Sequence, residues 1–439
     1  MRDSVLISEP TSDPESSWRE QYDTAKRKGL DALNEVRAGD RMFLSSACAE
    51  PRTIITELIE RARRREITRT TSFMMLNGST ELLLGLRGTE NEVVGINAGE
   101  SNQTNYFPWT IYQTVQLMRT GELGFDVALV QTSSPDRHGY VSLGVSVDYA
   151  VEAVIQSRIV IAEVNSHMPY TLGNNQIHVS LLDGIVEVDY ALAEAVLPQP
   201  SEVAREVARH VIDFVPDGAT IEIGVGRIMS AVLGELKVRN DIGLHTGLFI
   251  DEMIDLIQLG SITNARKLAD KGVSIANQGR GTKRMYEYVN ENPTVQFVPA
   301  AYTHDPAILR QLPDFRAINS ALEVDLMGRV NSEIRDGQRI SSTGGLGDFA
   351  RAARYQEGAR SIIALTATSN GGEATRIVPQ LASPESVTLT PDLADIVVTE
   401  FGVAELRGKR PKQRAEALTA IADPRHRAEL TEGYLRIYD

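Results

Sequence analysis

Residues 218–236 read GATIEIGVGRIMSAVLGEL, and residues 39–58 read GDRMFLSSACAEPRTIITEL. Each stretch opens on a glycine turn and enters a short apolar strand, Thr220–Ile223 in one and Met42–Leu44 in the other. Each then bends through small residues, Gly224-Val225-Gly226 and Ser45–Ala49, into the spacing of a helix, Ile228–Leu236 and Pro51–Arg64. Pro51 suits a first helical turn, where its missing N–H costs nothing. Both are βα units and align with one gap. That is a weak internal duplication, although two unrelated βα units would align as well.

Outward from these units, Val127–Val130, Ile159–Val164, Ile362–Leu365 and Ile396–Thr399 are apolar runs with helical patterns between many of them. Strands buried on both faces of a parallel sheet read this way. Residues 1–20, rich in Ser, Asp, Glu and Pro, read as a loose tail, and a helix is expected over Trp18–Val36. Prolines, a surface helix and a turn mark a boundary near 195–217. The expectation is an α/β protein of two similar domains, 21–215 and 216–439, each with a mostly parallel sheet flanked by helices.

Composition narrows the function. The 439 residues carry a formal charge of −14, with 42% hydrophobic and 24% charged residues. Such a balance argues against nucleic-acid binding, which needs a basic patch. It leaves room for an anionic small molecule held by backbone N–H groups and a few Lys or Arg side chains. The single cysteine, Cys48, allows no disulfide framework and no cysteine-built zinc site. The polar, acidic start does not read as a secretory signal, and no long apolar run suggests a membrane span. A cytoplasmic enzyme without metal is expected.

Four motifs could carry chemistry. Gly224-Val225-Gly226 sits at a strand-to-helix turn, where N–H groups and the helix dipole attract phosphate or carboxylate. Gly344-Gly345-Leu346-Gly347-Asp348 describes a flexible loop, capped by Asp348, able to offer N–H donors to an oxyanion. His138 lies in a turn, Ser134–Gly144, where a structural role outweighs a catalytic one. His245 ends a strand in GLHTGLF (243–249), the place where parallel sheets gather active-site residues; nearby Asp251 and Glu252 suit the start of a helix. Both glycine turns are expected in one pocket.

Together with SSPDRHGYVSLGVSVDYA (133–150), IAEVNSHMPYTLG (161–173), INSALEVDLMGRVNSE (318–333) and VVTEFGVAELRGK (397–409), these motifs resemble the acetyl-CoA hydrolase/transferase family, which includes acetate and 4-hydroxybutyrate CoA-transferases. The resemblance implies two domains facing each other across a cleft for coenzyme A, and a homodimer or higher oligomer. It implies a glutamate nucleophile that forms an anhydride and then a glutamyl-CoA thioester. At the matching position stands Gly247, which has no side chain to attack with. Leu346 stands where the family has Gln, and Tyr170 where it has Arg.

The reading is therefore an enzyme that processes an acyl-CoA without a glutamyl-CoA intermediate, by hydrolysis or intramolecular acyl transfer, with His245 or Glu222 as base. Alternation along the strand puts Glu222 opposite Ile221 and Ile223, on a solvated or cleft face. Asn102, Gln103, Tyr106, Pro108 and Tyr170 are expected beside the acyl or carboxylate substrate. Two alternatives stay open: a CoA-transferase whose carboxylate is relocated to Asp251, Glu252 or Glu100, and a non-catalytic CoA-binding protein.

Overall fold

A computed structural model describes residues 14–74, 84–95, 105–369, 372–382 and 387–438. The first half builds a seven-stranded parallel sheet from β1 (Arg41–Leu44), β2 (Thr71–Met74), β3 (Glu92–Gly95), β4 (Asn105–Tyr106), β5 (Val127–Thr132), β6 (Ile159–Asn165) and β7 (Gly184–Val188). Their order is β4-β3-β2-β1-β5-β6-β7. Every residue of β5 and β6 is buried, as strands covered by helices on both faces require.

The second half repeats this plan. β8 (Thr220–Ile223), β9 (Gly243–Leu244), β12 (Arg316–Ser320), β13 (Arg360–Ala364), β14 (Ile396–Thr399) and β15 (Gly402–Glu405) form a sheet ordered β9-β8-β12-β13-β14-β15, parallel except at the last pair. A parallel bridge from His245 to Ile275 continues it into β10 (Ser274–Ala276), which pairs with β11 (Val295–Phe297). Read through that bridge, β11-β10-β9-β8-β12-β13-β14 matches the first sheet position by position. β8 thus stands where β1 stands, and both lead into a turn with a left-handed residue, Gly226 at φ 128° and Ala47 at φ 55°. The duplication suggested by the two opening stretches is written in the topology. One apolar core runs through both halves, joining Phe43 and Val130 to Ile221, Leu244 and Ile362.

Two elements differ from expectation. The first helix spans Pro14–Lys28, beginning inside the stretch read as tail, and gives way at Gly29 (φ 47°) to a 3₁₀ segment, Gly29–Glu35. The helix Glu202–Ile212 belongs by sequence to the first domain, yet it packs on helix Arg227–Glu235 and on β13 and β14 of the second sheet. Its Ala204, Val207, Ala208 and Val211 form the apolar stripe that does so, and Ser201 caps it by accepting from Ala204 N.

Candidate active site

The chain leaving β9 runs between the carboxyl ends of its neighbours. His245 N donates to Ile221 O (3.0 Å), Thr246 N to Ile275 O (2.9 Å), and Thr246 Oγ1 to Ile223 O (3.1 Å). Gly247 O then accepts from Gln278 N at 3.1 Å. Gly247 is thus fixed at the end of the strand, but its own backbone does not demand glycine: its φ is not left-handed, and a Cβ placed there would meet Asn277 Oδ1 and His304 Cε1 and Nε2 at 3.9 Å, ordinary contact. A Cβ fits at 247 without a clash.

Buried polar atoms lie around position 247. His304 follows the short helix Ala300–Thr303, which is anchored by Ala300 N donating to Asp148 O and by His245 Nε2 on Thr303 O (2.9 Å). The His304 ring is fully buried, its centroid 4.5 Å from that of Phe349, with Nδ1 2.8 Å from Thr303 Oγ1. His304 Nε2, Asn277 Nδ2 and His245 Nδ1 have no hydrogen-bond partner among the described residues. Unpaired buried polar atoms are rare in folded proteins, and two of these three belong to residues that touch position 247. Burial holds both imidazoles neutral by lowering them to about 3; the Lys267 ammonium adds to this at His245, and His245 at His304.

The glycine-rich loop closes the far side. A Cβ on Gly345 would lie 2.4 Å from His304 Nε2, so the loop backbone rests directly on the ring. Gly345 is also the N-cap of helix Leu346–Arg354 and offers no side-chain cap, leaving first-turn N–H groups without an intrahelical acceptor. Asp348 does not cap this helix, contrary to the sequence reading. It lies within the first turn, and its carboxylate accepts from Tyr112 N (2.9 Å), at the start of helix Ile111–Thr120 in the first half. Gly344 O accepts from Ile111 N beside it. The loop is thereby stapled to the other half of the molecule. Desolvation lifts the Asp348 carboxyl to about 7.

Glu222 is also differently placed from the solvated or cleft face expected of it. It is buried, accepts from Asn319 Nδ2 at 2.7 Å, and is raised by desolvation to about 8, so it carries a proton at neutral pH. The turn after it, Gly224–Gly226, meets Asn319 at Gly224, where a Cβ would sit 2.6 Å from Oδ1. Val225 is exposed, and Gly226 lines a cavity of about 710 Å³ with Arg227, Ser320, Arg335, Thr375 and Arg376. The loop 344–348 contributes no lining residue to this cavity; the two glycine turns connect instead through Thr246, Gly247 and His304.

The remaining sequence candidates scatter. Tyr170 donates its hydroxyl to Asp136 in the turn that holds His138, and its N to Asn290 Oδ1. His138 accepts from Arg137 Nε on the exposed turn. Pro108 is exposed, Tyr106 lies in β4, and Asn102, Gln103 and Glu100 fall outside the described residues. Asp251 accepts from both Thr282 N and Oγ1, and Glu252 from Ser230 Oγ. Among the described residues no group of three or more His, Cys, Asp or Glu side chains could hold a metal ion. His304 was missed because no motif surrounds it. The Asp305-Pro306 helix start that follows marks only a turn, with Asp305 accepting from Ala307 N.

Two α/β halves of one plan, with a polar cluster at the strand ends, define an α/β protein with a candidate site between its halves, and comparison with known proteins narrows it. Residues 95–198 match the acetyl-CoA hydrolase/transferase N-terminal domain and residues 281–434 its C-terminal domain. The 4-hydroxybutyrate coenzyme A transferase of Clostridium kluyveri is 35% identical over 94% of this chain and 98% of its own. The crystal structure of RipA from Yersinia pestis superposes with a TM-score of 0.90 at 32% identity, covering 96% of this chain and 99% of RipA. The 4-hydroxybutyrate CoA-transferase of Porphyromonas gingivalis gives 0.81 at 33% identity, covering 96% and 100%. The chain belongs to the acetyl-CoA hydrolase/transferase family and is an enzyme of acyl-CoA hydrolase or CoA-transferase type.

Proposed function

We propose that this enzyme hydrolyses an acyl-CoA thioester without forming a glutamyl-CoA intermediate. The observation that supports the reading is the room at Gly247, enough for a Cβ and edged by His304 and Asn277. Water takes that space and attacks the thioester carbonyl directly. N–H groups at the start of helix Leu346–Arg354 stabilise the oxyanion as it forms, usually a large share of such catalysis. Asp251 and Glu252, the nearest alternative nucleophiles, are engaged by Thr282 and Ser230.

The CoA phosphates belong at the Gly224–Gly226 turn. There the start of helix Arg227–Glu235 and the Arg227, Arg335 and Arg376 side chains border one cavity. None of these three arginines pairs with a carboxylate among the described residues, and Arg376 is lowered by burial and by its neighbour Arg335, as expected of cations awaiting an anion. Arg376→Ala is predicted to raise KM for acetyl-CoA about tenfold with kcat little changed, an effect that shrinks at high salt.

The test is intact-protein mass spectrometry after incubation with acetyl-CoA or butyryl-CoA in ¹⁸O-water, with borohydride trapping. We expect no CoA adduct, CoA release without an acceptor acid, and one ¹⁸O in the carboxylate product. An adduct on any carboxylate of the unmodified protein, with turnover that requires an acceptor acid, overturns hydrolysis in favour of transfer. Because a Cβ fits at 247, Gly247→Glu is predicted to fold, to lose hydrolysis as its carboxylate displaces water, and to show some CoA adduct.

A further inference from the structure

We propose that His304 is the general base of this enzyme, taking the proton from the water that replaces the missing nucleophile. The proposal rests on the hydrolytic reading above and adds the group that makes it work. Three features of the geometry single out this residue. Its ring is fully buried, so Nε2 has no solvent to satisfy it, and it has no partner among the described residues. That same atom lies 3.9 Å from where a Cβ of residue 247 would stand, so it borders the space a nucleophilic side chain would fill. And Gly345, the N-cap of helix Leu346–Arg354, which has no side-chain cap, packs on the same Nε2. Base, nucleophile space and oxyanion donors meet at one atom.

The other candidates lack this arrangement. His245 commits Nε2 to Thr303 O, which secures the helix that ends at His304; it is a positioning residue. Glu222 is protonated at neutral pH and bonded to Asn319. His304 instead has Thr303 Oγ1 on Nδ1. With that hydroxyl accepting from Nδ1–H, the lone pair is on Nε2, between Gly345 and position 247, and the hydroxyl steadies the positive charge when Nε2 is protonated.

The step balances without a further reactant. Water donates a proton to His304 Nε2 as its oxygen bonds to the thioester carbon, and the carbonyl oxygen becomes an oxyanion. The oxyanion collapses, the carbon–sulfur bond breaks, and Nε2 returns its proton to the leaving thiolate. The products are a carboxylic acid and CoA.

The experiment measures CoA release from acetyl-CoA and butyryl-CoA by wild type, His304→Gln, His304→Ala and Thr303→Val. Thermal unfolding and calorimetric CoA binding serve as checks on the fold. For both His304 variants kcat is expected to fall by about 10²-fold, the lower end of a general base's contribution, as suits an imidazole that burial holds at about 3, with KM and CoA affinity within about threefold. Added imidazole should restore part of the rate to His304→Ala, which leaves a ring-sized space, and none to His304→Gln. Thr303→Val, which keeps the ring, should lower kcat about tenfold at unchanged KM, consistent with loss of one hydrogen bond, and it decides the matter should the His304 variants not fold. Wild-type hydrolysis that survives in folded His304→Gln within tenfold overturns the proposal and leaves the hydrolytic reading standing. So does a loss that tracks CoA affinity and resists imidazole, or an unchanged kcat in Thr303→Val. A wild type that hydrolyses neither thioester overturns both.

Discussion

Gly345→Ala is expected to lower kcat by at least about 100-fold while leaving CoA binding near its wild-type level. The added methyl would fall 2.4 Å from His304 Nε2, too close for any real contact, and next to Phe349. The ring cannot retreat easily, being fully buried with Phe349 on one side and Thr303 on Nδ1. Either the loop lifts or the imidazole turns, and a displacement of about 1 Å at a reacting group can cost on the order of 100-fold in rate. Overpacking of this kind also destabilises by about 1–3 kcal/mol. Steady-state kinetics beside a denaturant titration separate the two effects. Activity within a few-fold of wild type would mean that the loop does not rest on His304 during turnover.

Glu222→Gln is expected to stabilise the protein at alkaline pH and to change little in mild acid. The folded-state carboxyl is raised from 4.5 to about 8, so between these values the native protein binds a proton that the unfolded chain releases. Its contribution is therefore complete below about pH 4 and is lost as pH rises toward 8. At 1.36 kcal/mol per unit the loss amounts to roughly 5 kcal/mol at most. The amide stays neutral throughout and still accepts from Asn319 Nδ2. Urea midpoints at pH 5 and pH 8.5 should thus coincide in the first condition and favour the variant by several kcal/mol in the second. A wild type that is the more stable at pH 8.5 would show the carboxylate ionised and paired in the fold. Asp348, raised to about 7, acts with the same sign over a lower window.

The sequence announces the fold where burial is two-sided. Met42–Leu44, Val127–Val130, Ile159–Val164, Thr220–Ile223, Ile362–Ala364 and Ile396–Thr399 all lie in strands, because a parallel strand covered on both faces is mostly apolar, with Glu163 and Glu222 as buried exceptions. It is silent where strands are short: β9 has two residues and β10 and β11 three each, too few for any periodicity to show, so the full correspondence between the halves emerges only from strand order. The site divides in the same way. The two glycine turns stand out because glycines beside helix starts are visible in one dimension, and Gly247 stands out through the resemblance to a family with glutamate at that position. His304 does not, since its character comes from contacts with Gly247, Thr303, Gly345 and Phe349 drawn from separate segments. Asp348 was legible as a residue near a helix start but not as the partner of Tyr112, a contact that exists only once the halves meet.

That contact makes the reaction centre dependent on how the two halves are held together. The loop over His304 is built by the second half but moored to the first, through Asp348 on Tyr112 N and Gly344 O on Ile111 N. A change that loosens the contact between the halves is therefore felt at His304, through the loop that rests on it, even when it lies far from any residue of the site.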